Sequence, residues 1–170
     1  MSRTSFVEFM KMWNKTDLAI CAEVGVAGGV NAKTMLEEMP NAKFYLVDQY
    51  LPYYTECDAE KTVEHNIQKR EEMIGNVQAF KSRVHYVNLP SVVAARAFDD
   101  GFFDYVYIDG DHSAEEVRKD VFAWISKVKP GGMLAGHDWH IVGSAIKDIL
   151  PRVKFEPGIA GEACDWWITK

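Results

Sequence analysis

Ala22-Glu23-Val24-Gly25-Val26-Ala27-Gly28-Gly29 decides how this 170-residue chain is to be read. The stretch is the exit of an apolar run, Leu18 to Val26, whose near-continuous hydrophobicity predicts a strand buried on both faces. Its glycines allow a tight turn and close approach of the backbone to a ligand. Asn31 to Met39 follows with Ala32, Met35, Leu36 and Met39 on one helical face, ended by Pro40 and Asn41. Lys43 to Asp48 (KFYLVD) predicts a second strand that closes on an acidic residue 20 positions after Gly28. Strand, glycine turn, helix, strand and acid make one unit of a parallel sheet with a ligand at the turn.

Outward from this unit the same alternation continues. Asp58 to Ala79 predicts a helix, Arg83 to Asn88 a third strand, Ser91 to Phe98 a short helix and Asp104 to Asp109 a fourth strand. Ser113 and Glu116 form an S-x-x-E capping box, and Val117, Val121, Trp124, Ile125 and Val128 carry a helical stripe toward Pro130-Gly131-Gly132, which is expected to end the helix. Met133 to Asp138 predicts a fifth strand and Gly143 to Leu150 a short helix. Arg152 to Glu156 and Asp165 to Thr169 predict two last strands. About eight residues join that pair, too few for a helical crossover, so the two run antiparallel. Upstream, Phe6, Phe9, Met10 and Trp13 share a helical face, so residues 1–15 are expected to dock as a helix on a single domain spanning 1–170. The expected fold is doubly wound α/β: a mostly parallel seven-stranded sheet, helices on both faces, and an antiparallel last strand.

Bulk properties narrow the function. Hydrophobic residues at 48% and charged residues at 26% are globular usage, which argues against disorder. The net charge of -6 disfavours a nucleic-acid backbone as partner. No run of about 18 apolar residues suggests a membrane span, and Met1 to Asn14 does not read as a signal peptide. Cys21, Cys57 and Cys164 are odd in number and form no CxxC, which fits reduced thiols in the cytoplasm.

A nicotinamide or nucleotide enzyme on a similar sheet is the rival reading. However, the turn is G-x-x-G-G rather than G-x-G-x-x-G, and Glu23 precedes its first glycine by two. A carboxylate there would repel a pyrophosphate and favour a cationic ligand. The pattern E-x-G-x-x-x-G resembles the first motif of class I S-adenosylmethionine-dependent methyltransferases. YIDGDHSAEEVRKDVFAWISKVKPGGMLAGHDW resembles the span of strands four and five in small-molecule O-methyltransferases. The resemblance runs from about Ala19 to Thr169 and implies S-adenosylmethionine as cofactor. It places Glu23, Gly25, Ala27 and Gly28 at the methionine end, Asp48 at the ribose, and Asn88, Leu89 and Ser91 near the adenine, with Asp109 at the edge of the same site.

The carboxyl ends of strands four and five carry Asp109, Asp111 and His112, then His137, Asp138, Trp139 and His140. Ligands of doubly wound sheets bind at these ends. By the resemblance, Asp109, His137 and Asp138 match a divalent metal site that would aim an acceptor hydroxyl at the methyl group. Mg or Mn is the expected ion, although a mixed His/Asp set leans toward Mn, Fe or Zn over Mg. Adjacent strand residues point to opposite faces, so the chain must bend for His137 and Asp138 both to bind. The metal-free alternative makes a histidine or Asp111 the general base. The structural alternative has Asp109 and Asp111 capping the helix at Ser113. Tyr50, Tyr53, Tyr54, Trp139, Trp166 and Trp167 are candidates to wall an aromatic acceptor, with Leu51 to Asp58 as a lid.

The expected function is methyl transfer to a hydroxyl of a small-molecule acceptor, catalysed by Asp109, His137 and Asp138. A non-catalytic cofactor-binding domain is the second alternative. The chain is short for such an enzyme, and a homo-oligomer whose partner chain closes the acceptor site is one way to complete it.

Overall fold

The structure is a computed structural model that describes residues 3–14, 17–51, 62–156 and 164–170. The elements run α1 (Thr4–Met12), β1 (Ala19–Val24), α2 (Val30–Glu38), β2 (Ala42–Val47), α3 (Val63–Val77), β3 (Val84–Val87), α4 (Ser91–Ala95), β4 (Phe103–Ile108), α5 (Ala114–Trp124), β5 (Val128–Gly136), α6 (Trp139–Ile149), β6 (Lys154–Phe155) and β7 (Trp166–Thr169). One sheet takes the order β3-β2-β1-β4-β5-β7-β6. Strands β1 to β5 pair in parallel, and β7 is antiparallel to both β5 and β6.

The pleat sorts each strand into two cores. Cys21, Phe44, Leu46, Tyr105, Tyr107, Met133 and Ala135 meet α1, α2 and α3 through Phe6, Phe9, Met35, Leu36 and Met73. Ala22, Val24, Val47, Val106, Ile108 and Leu134 meet α4, α5 and α6 through Ala94, Val117, Val121, Trp124 and Ile146. Both faces of the sheet are covered, which is why the central strands read as unbroken apolar runs. No helix among the described residues is long and apolar enough to cross a membrane.

The N-terminal helix is bolted down rather than merely laid on the sheet. Asp165, at the entry to β7, is buried and accepts hydrogen bonds from the Ser5 backbone N–H at 2.9 Å, the Ser5 hydroxyl at 2.7 Å and the Tyr107 hydroxyl at 2.9 Å. Phe9 packs on Tyr105 with ring centroids 4.8 Å apart.

Three boundaries differ from the sequence expectation. Pro130-Gly131-Gly132 does not end a helix: α5 stops at Trp124, a 3-10 turn covers Ile125–Lys127, and the prolyl-glycyl stretch lies inside β5. Pairing jumps there from Phe103 with Val128 to Tyr105 with Met133, so these residues form a bulge, where a proline's missing N–H costs no ladder bond. Gly131, at φ 82°, donates to the Lys170 carbonyl at 2.8 Å. Helix α6 starts at Trp139 rather than Gly143, because the fifth strand ends at Gly136 instead of Asp138. Helix α3 starts at Val63, with Val63 and Ile67 exposed rather than in the core; residues 58–61 of the expected helix lie outside the described residues. Half of the capping box forms: the Ser113 hydroxyl accepts from the Glu116 N–H, while the Ser113 N–H donates to Asp111 in place of Glu116.

Candidate active site

The site is built where β1 and β4 part. Gly25 has φ 83°, and a Cβ there would overlap the backbone of Asp109 and lie 2.6 Å from Gly110 Cα. The Asp109 N–H donates to the Val24 carbonyl at 2.7 Å, and the His137 N–H to the Ile108 carbonyl at 3.0 Å. The three strand ends thus carry the glycine turn, Asp109 and His137 to one point. In front of them a cleft of about 530 Å³ is lined by Gly25, Asp48, Gln49, Leu89, Ser91 and Asp111, among others.

Within this frame the sequence-derived cofactor residues take distinct places. Glu23 is 1% exposed, beneath the turn. Its Oε1 accepts from the Asn31 amide at 2.9 Å, while its Oε2 has no hydrogen-bond partner among the described residues. Burial drives its carboxyl up to about 8, against the Asn31 hydrogen bond. Asp48 spends its carboxylate on the turn itself, accepting from the N–H groups of Val26 (2.9 Å), Ala27 (3.0 Å) and Tyr50 (3.0 Å). Ala27 is held at φ 45°, with its carbonyl accepting from the Tyr50 hydroxyl at 2.8 Å. Gly28 faces away from the cleft: its carbonyl accepts from Asn76, and a Cβ on it would meet Glu72. Asn88 is exposed just past β3, beside Leu89. Ser91 lines the cleft, but its hydroxyl is engaged, donating to Asp120 and accepting from the Trp124 indole at 2.9 Å.

The expected cluster is present. Ligand atoms of Asp109, His137 and Asp138 all lie within 4.8 Å of one another. The bend required between His137 and Asp138 is also there: Asp138 sits at φ 55°, ψ 40°, in the left-handed region, as the N-cap of α6. That turn brings both side chains to the same side. His137 Nδ1 stands 3.0 Å from Asp138 Oδ1 and 3.5 Å from Asp109 Oδ1. His112 Nε2 stands 3.0 Å from Asp138 Oδ2. Burial would raise the Asp109 carboxyl, but hydrogen bonds from His112 and His137 outweigh it and bring it to about 2. Burial would lower the His137 imidazole, yet the two carboxylates carry it up to about 9. His137 Nε2 is buried without a partner among the described residues.

Some expected members do not join. His140 turns away, with Nδ1 at 3.3 Å from Cys164 Sγ. Asp111 does cap, accepting from the Ser113 N–H at 2.7 Å, whereas Asp109 does not. Trp166 is core, its indole donating to the His137 carbonyl at 3.1 Å, and Trp139 stacks on Phe155. Tyr53, Tyr54 and most of the expected lid lie outside the described residues. Two contributors were missed from sequence. Arg3 reaches the cluster with Nη2 at 3.7 Å from Asp109 Oδ2, and Asp165 places the helix that delivers it. No motif marks either one.

A cationic, nucleoside-bearing donor suits this geometry. The orphaned Glu23 oxygen lies beneath the turn, and Gly25 leaves no side chain between the turn and the cleft. The three oxygen and nitrogen donors of Asp109, His137 and Asp138 likewise form a set that suits a divalent ion.

Comparison with known proteins gives the family. A family model described as a methyltransferase domain matches residues 22–139. No curated protein matches the sequence. Among solved structures, an rRNA methylase from Streptococcus thermophilus is similar at 10% identity and a TM-score of 0.69, with 98% of this chain and 93% of that one covered. A SAM-dependent O-methyltransferase from Thermotoga maritima is similar at 13% identity and 0.65, over 98% of this chain and 64% of that one. An O-methyltransferase family protein from Burkholderia thailandensis is similar at 13% identity and 0.64, over 97% and 55%. The chain therefore spans under two thirds of the length of these two O-methyltransferases. The likenesses show the fold. From the turn at Glu23 to the bend at Asp138, this chain belongs to the methyltransferase-domain family and has the fold of class I S-adenosylmethionine-dependent methyltransferases.

Proposed function

We propose that this methyltransferase moves the methyl group of S-adenosylmethionine to a hydroxyl of a small molecule, with a divalent cation, Mg or Mn, held by Asp109, His137 and Asp138. The observation that carries the reading is the convergence of these three side chains within 4.8 Å, at the strand ends that border the Gly25 cleft. The donor supplies an electrophilic methyl group on sulfur, and the cation supplies a Lewis acid that lowers the pKa of a hydroxyl. The chain's own residues do the rest. Gly25 lets the donor approach the backbone. Glu23 offers an acceptor to its ammonium, and Asp48 fixes the turn and faces its ribose. Asp109 and Asp138 set a negative field where a hydroxyl loses its proton.

The metal-free alternative needs a neutral histidine or the Asp111 carboxylate as base, and Asp111 is taken up by the Ser113 N–H. The pairing with Asp109 and Asp138 carries the His137 imidazole up to about 9, so ligation of a cation and action as a base both require it to give up that proton. Two carboxylates and an imidazole whose ligand atoms lie within 4.8 Å of one another support the cation reading. The acidic net charge supports a small-molecule acceptor over nucleic acid, and the buried free thiols of Cys21 and Cys164 support a cytoplasmic setting.

The test is methyl transfer to a panel of hydroxylated small molecules, with and without chelator. Activity lost to the chelator and restored by Mn or Mg supports the reading. Chelator-resistant transfer that is lost in His137→Ala assigns the chemistry to a base instead. Binding of S-adenosylhomocysteine with no transfer to any hydroxyl overturns the acceptor assignment.

A further inference from the structure

Arg3 is the one guanidinium among the described residues placed at this cluster, and it is poorly used. Among the described residues it makes a loose pair with Asp109 at 3.7 Å, and its side chain is 24% exposed. Asp165 and Glu23 also bear on its charge. It precedes the first turn of α1, so the Ser5–Asp165 bonds that pin the helix also fix the root of the Arg3 side chain. An arginine anchored beside this cluster by a buried network, with no bidentate partner among the described residues, has donors to spare for an anion.

Glu23 presents the opposite case. It is almost fully buried, and one carboxylate oxygen lacks any partner among the described residues. A carboxylate is kept so only where a donor completes it. An acceptor short of a cation lies beneath the turn, and a cation short of an anion lies beside Asp109, near enough for the two charges to bear on each other. The α-amino acid end of the methyl donor carries both missing charges on one carbon: an ammonium and a carboxylate. We propose that Glu23 and Arg3 form a zwitterion clamp for that end, with Glu23 taking the ammonium and Arg3 the carboxylate. The clamp rests on the reading that the donor binds at Glu23 to Gly29.

In the bound state Arg3 exchanges its loose pair with Asp109 for two parallel N–H···O bonds to the donor. This frees one Asp109 oxygen at the moment the acceptor site is needed. The N-terminal helix is thereby part of the donor site, and methionine-derived ligands are told from bare adenosine compounds by their charged end.

The experiment is calorimetry with two ligands: S-adenosylhomocysteine, which has both charges, and decarboxylated S-adenosylmethionine, which lacks the carboxylate. The wild-type protein is compared with Arg3→Ala and Arg3→Lys. Arg3→Ala is expected to weaken S-adenosylhomocysteine roughly tenfold to hundredfold and to leave the decarboxylated ligand unchanged. Arg3→Lys is expected to fall between. Equal weakening of both ligands, or of neither, overturns the clamp. So does an Arg3→Ala protein that binds S-adenosylhomocysteine normally but loses inhibition by 3,4-dihydroxybenzoate relative to catechol, because the arginine then reads the acceptor. Wild-type protein that binds neither ligand overturns the donor reading itself. Melting curves of each variant separate a binding loss from a folding loss.

Discussion

The backbone of Gly25 lies so close to that of Asp109 that a single methyl group on the glycine would overlap the aspartate carbonyl. The first strand ends where it does because the fourth strand's end occupies the adjoining space. Gly25→Ala therefore meets two penalties, a clash with immovable backbone and a non-glycine residue at φ 83°. The variant is expected to lose several kcal/mol of stability and at least about tenfold in donor affinity. Thermal melts and calorimetry with S-adenosylhomocysteine check both. Normal affinity in a stable variant would mean that the turn does not touch the donor.

Glu23 gives a proton signature. Its folded carboxyl, at about 8, stands above its ordinary value of 4.5. Its contribution to stability is fully present below about pH 4.5 and is lost as the pH rises through 8. Comparing melting curves of wild type and Glu23→Gln, the wild type should lose its relative advantage across that window. At pH 7 the group is mostly protonated, so an arriving ammonium should expel a proton. Calorimetry in buffers of different ionisation enthalpy should show proton release for wild type and none from this group in Glu23→Gln. Identical release in both would take Glu23 out of the donor site.

Much of this arrangement was legible in the sequence because the relevant signals are local. Alternating apolar runs and helical stripes gave the strand order's raw material, and the acidic residue before Gly25 marked the turn. The spacing from Gly28 to Asp48 was right, but the role of Asp48 was less visible. Its three bonds to backbone N–H groups depend on how the turn folds back, which no spacing encodes. Pro130-Gly131-Gly132 misled for a related reason. Proline and glycine break helices and also make bulges, and only pairing with β4 and the neighbouring Lys170 decides between the two. Arg3 and Asp165 were illegible because their meaning lies in a contact across 160 positions of sequence.

Asp165 serves three donors from a buried position, so removing it takes the acceptor from the Tyr107 hydroxyl and the Ser5 N–H and leaves the Ser5 hydroxyl with Tyr105 alone. Asp165→Ala is expected to cost about 3 kcal/mol or more, which for a domain of this size lowers the melting temperature by roughly 6–12 °C. Ser5→Ala, which removes only the hydroxyl, should cost about 1 kcal/mol. A melting temperature unchanged in Asp165→Ala would show that α1 holds to the sheet through Phe6 and Phe9 alone.

The cluster beyond the cleft should separate binding from turnover. Asp138→Ala is expected to leave affinity for S-adenosylhomocysteine within about twofold while slowing transfer roughly a hundredfold or more. His137→Ala should do the same and should also weaken retention of Mn or Mg, measured by metal analysis after dialysis. A double variant that transfers methyl groups at the parental rate would make the cluster structural.

The bond from Ser5 to Asp165 also gives the molecule an order of assembly. The five parallel strands and the glycine turn can form from the chain up to Gly136, and their contacts are between neighbours in the sheet. The anchor of α1 arrives only with β7, which must enter against the direction of β5 before Asp165 is in place. Without β7 the helix would keep its Phe6 and Phe9 packing on the sheet but lose the buried acceptor at its first turn. Closing so long a loop costs more than pairing neighbours, and the two ends of the chain are thereby joined at the same place that holds Arg3 beside Asp109.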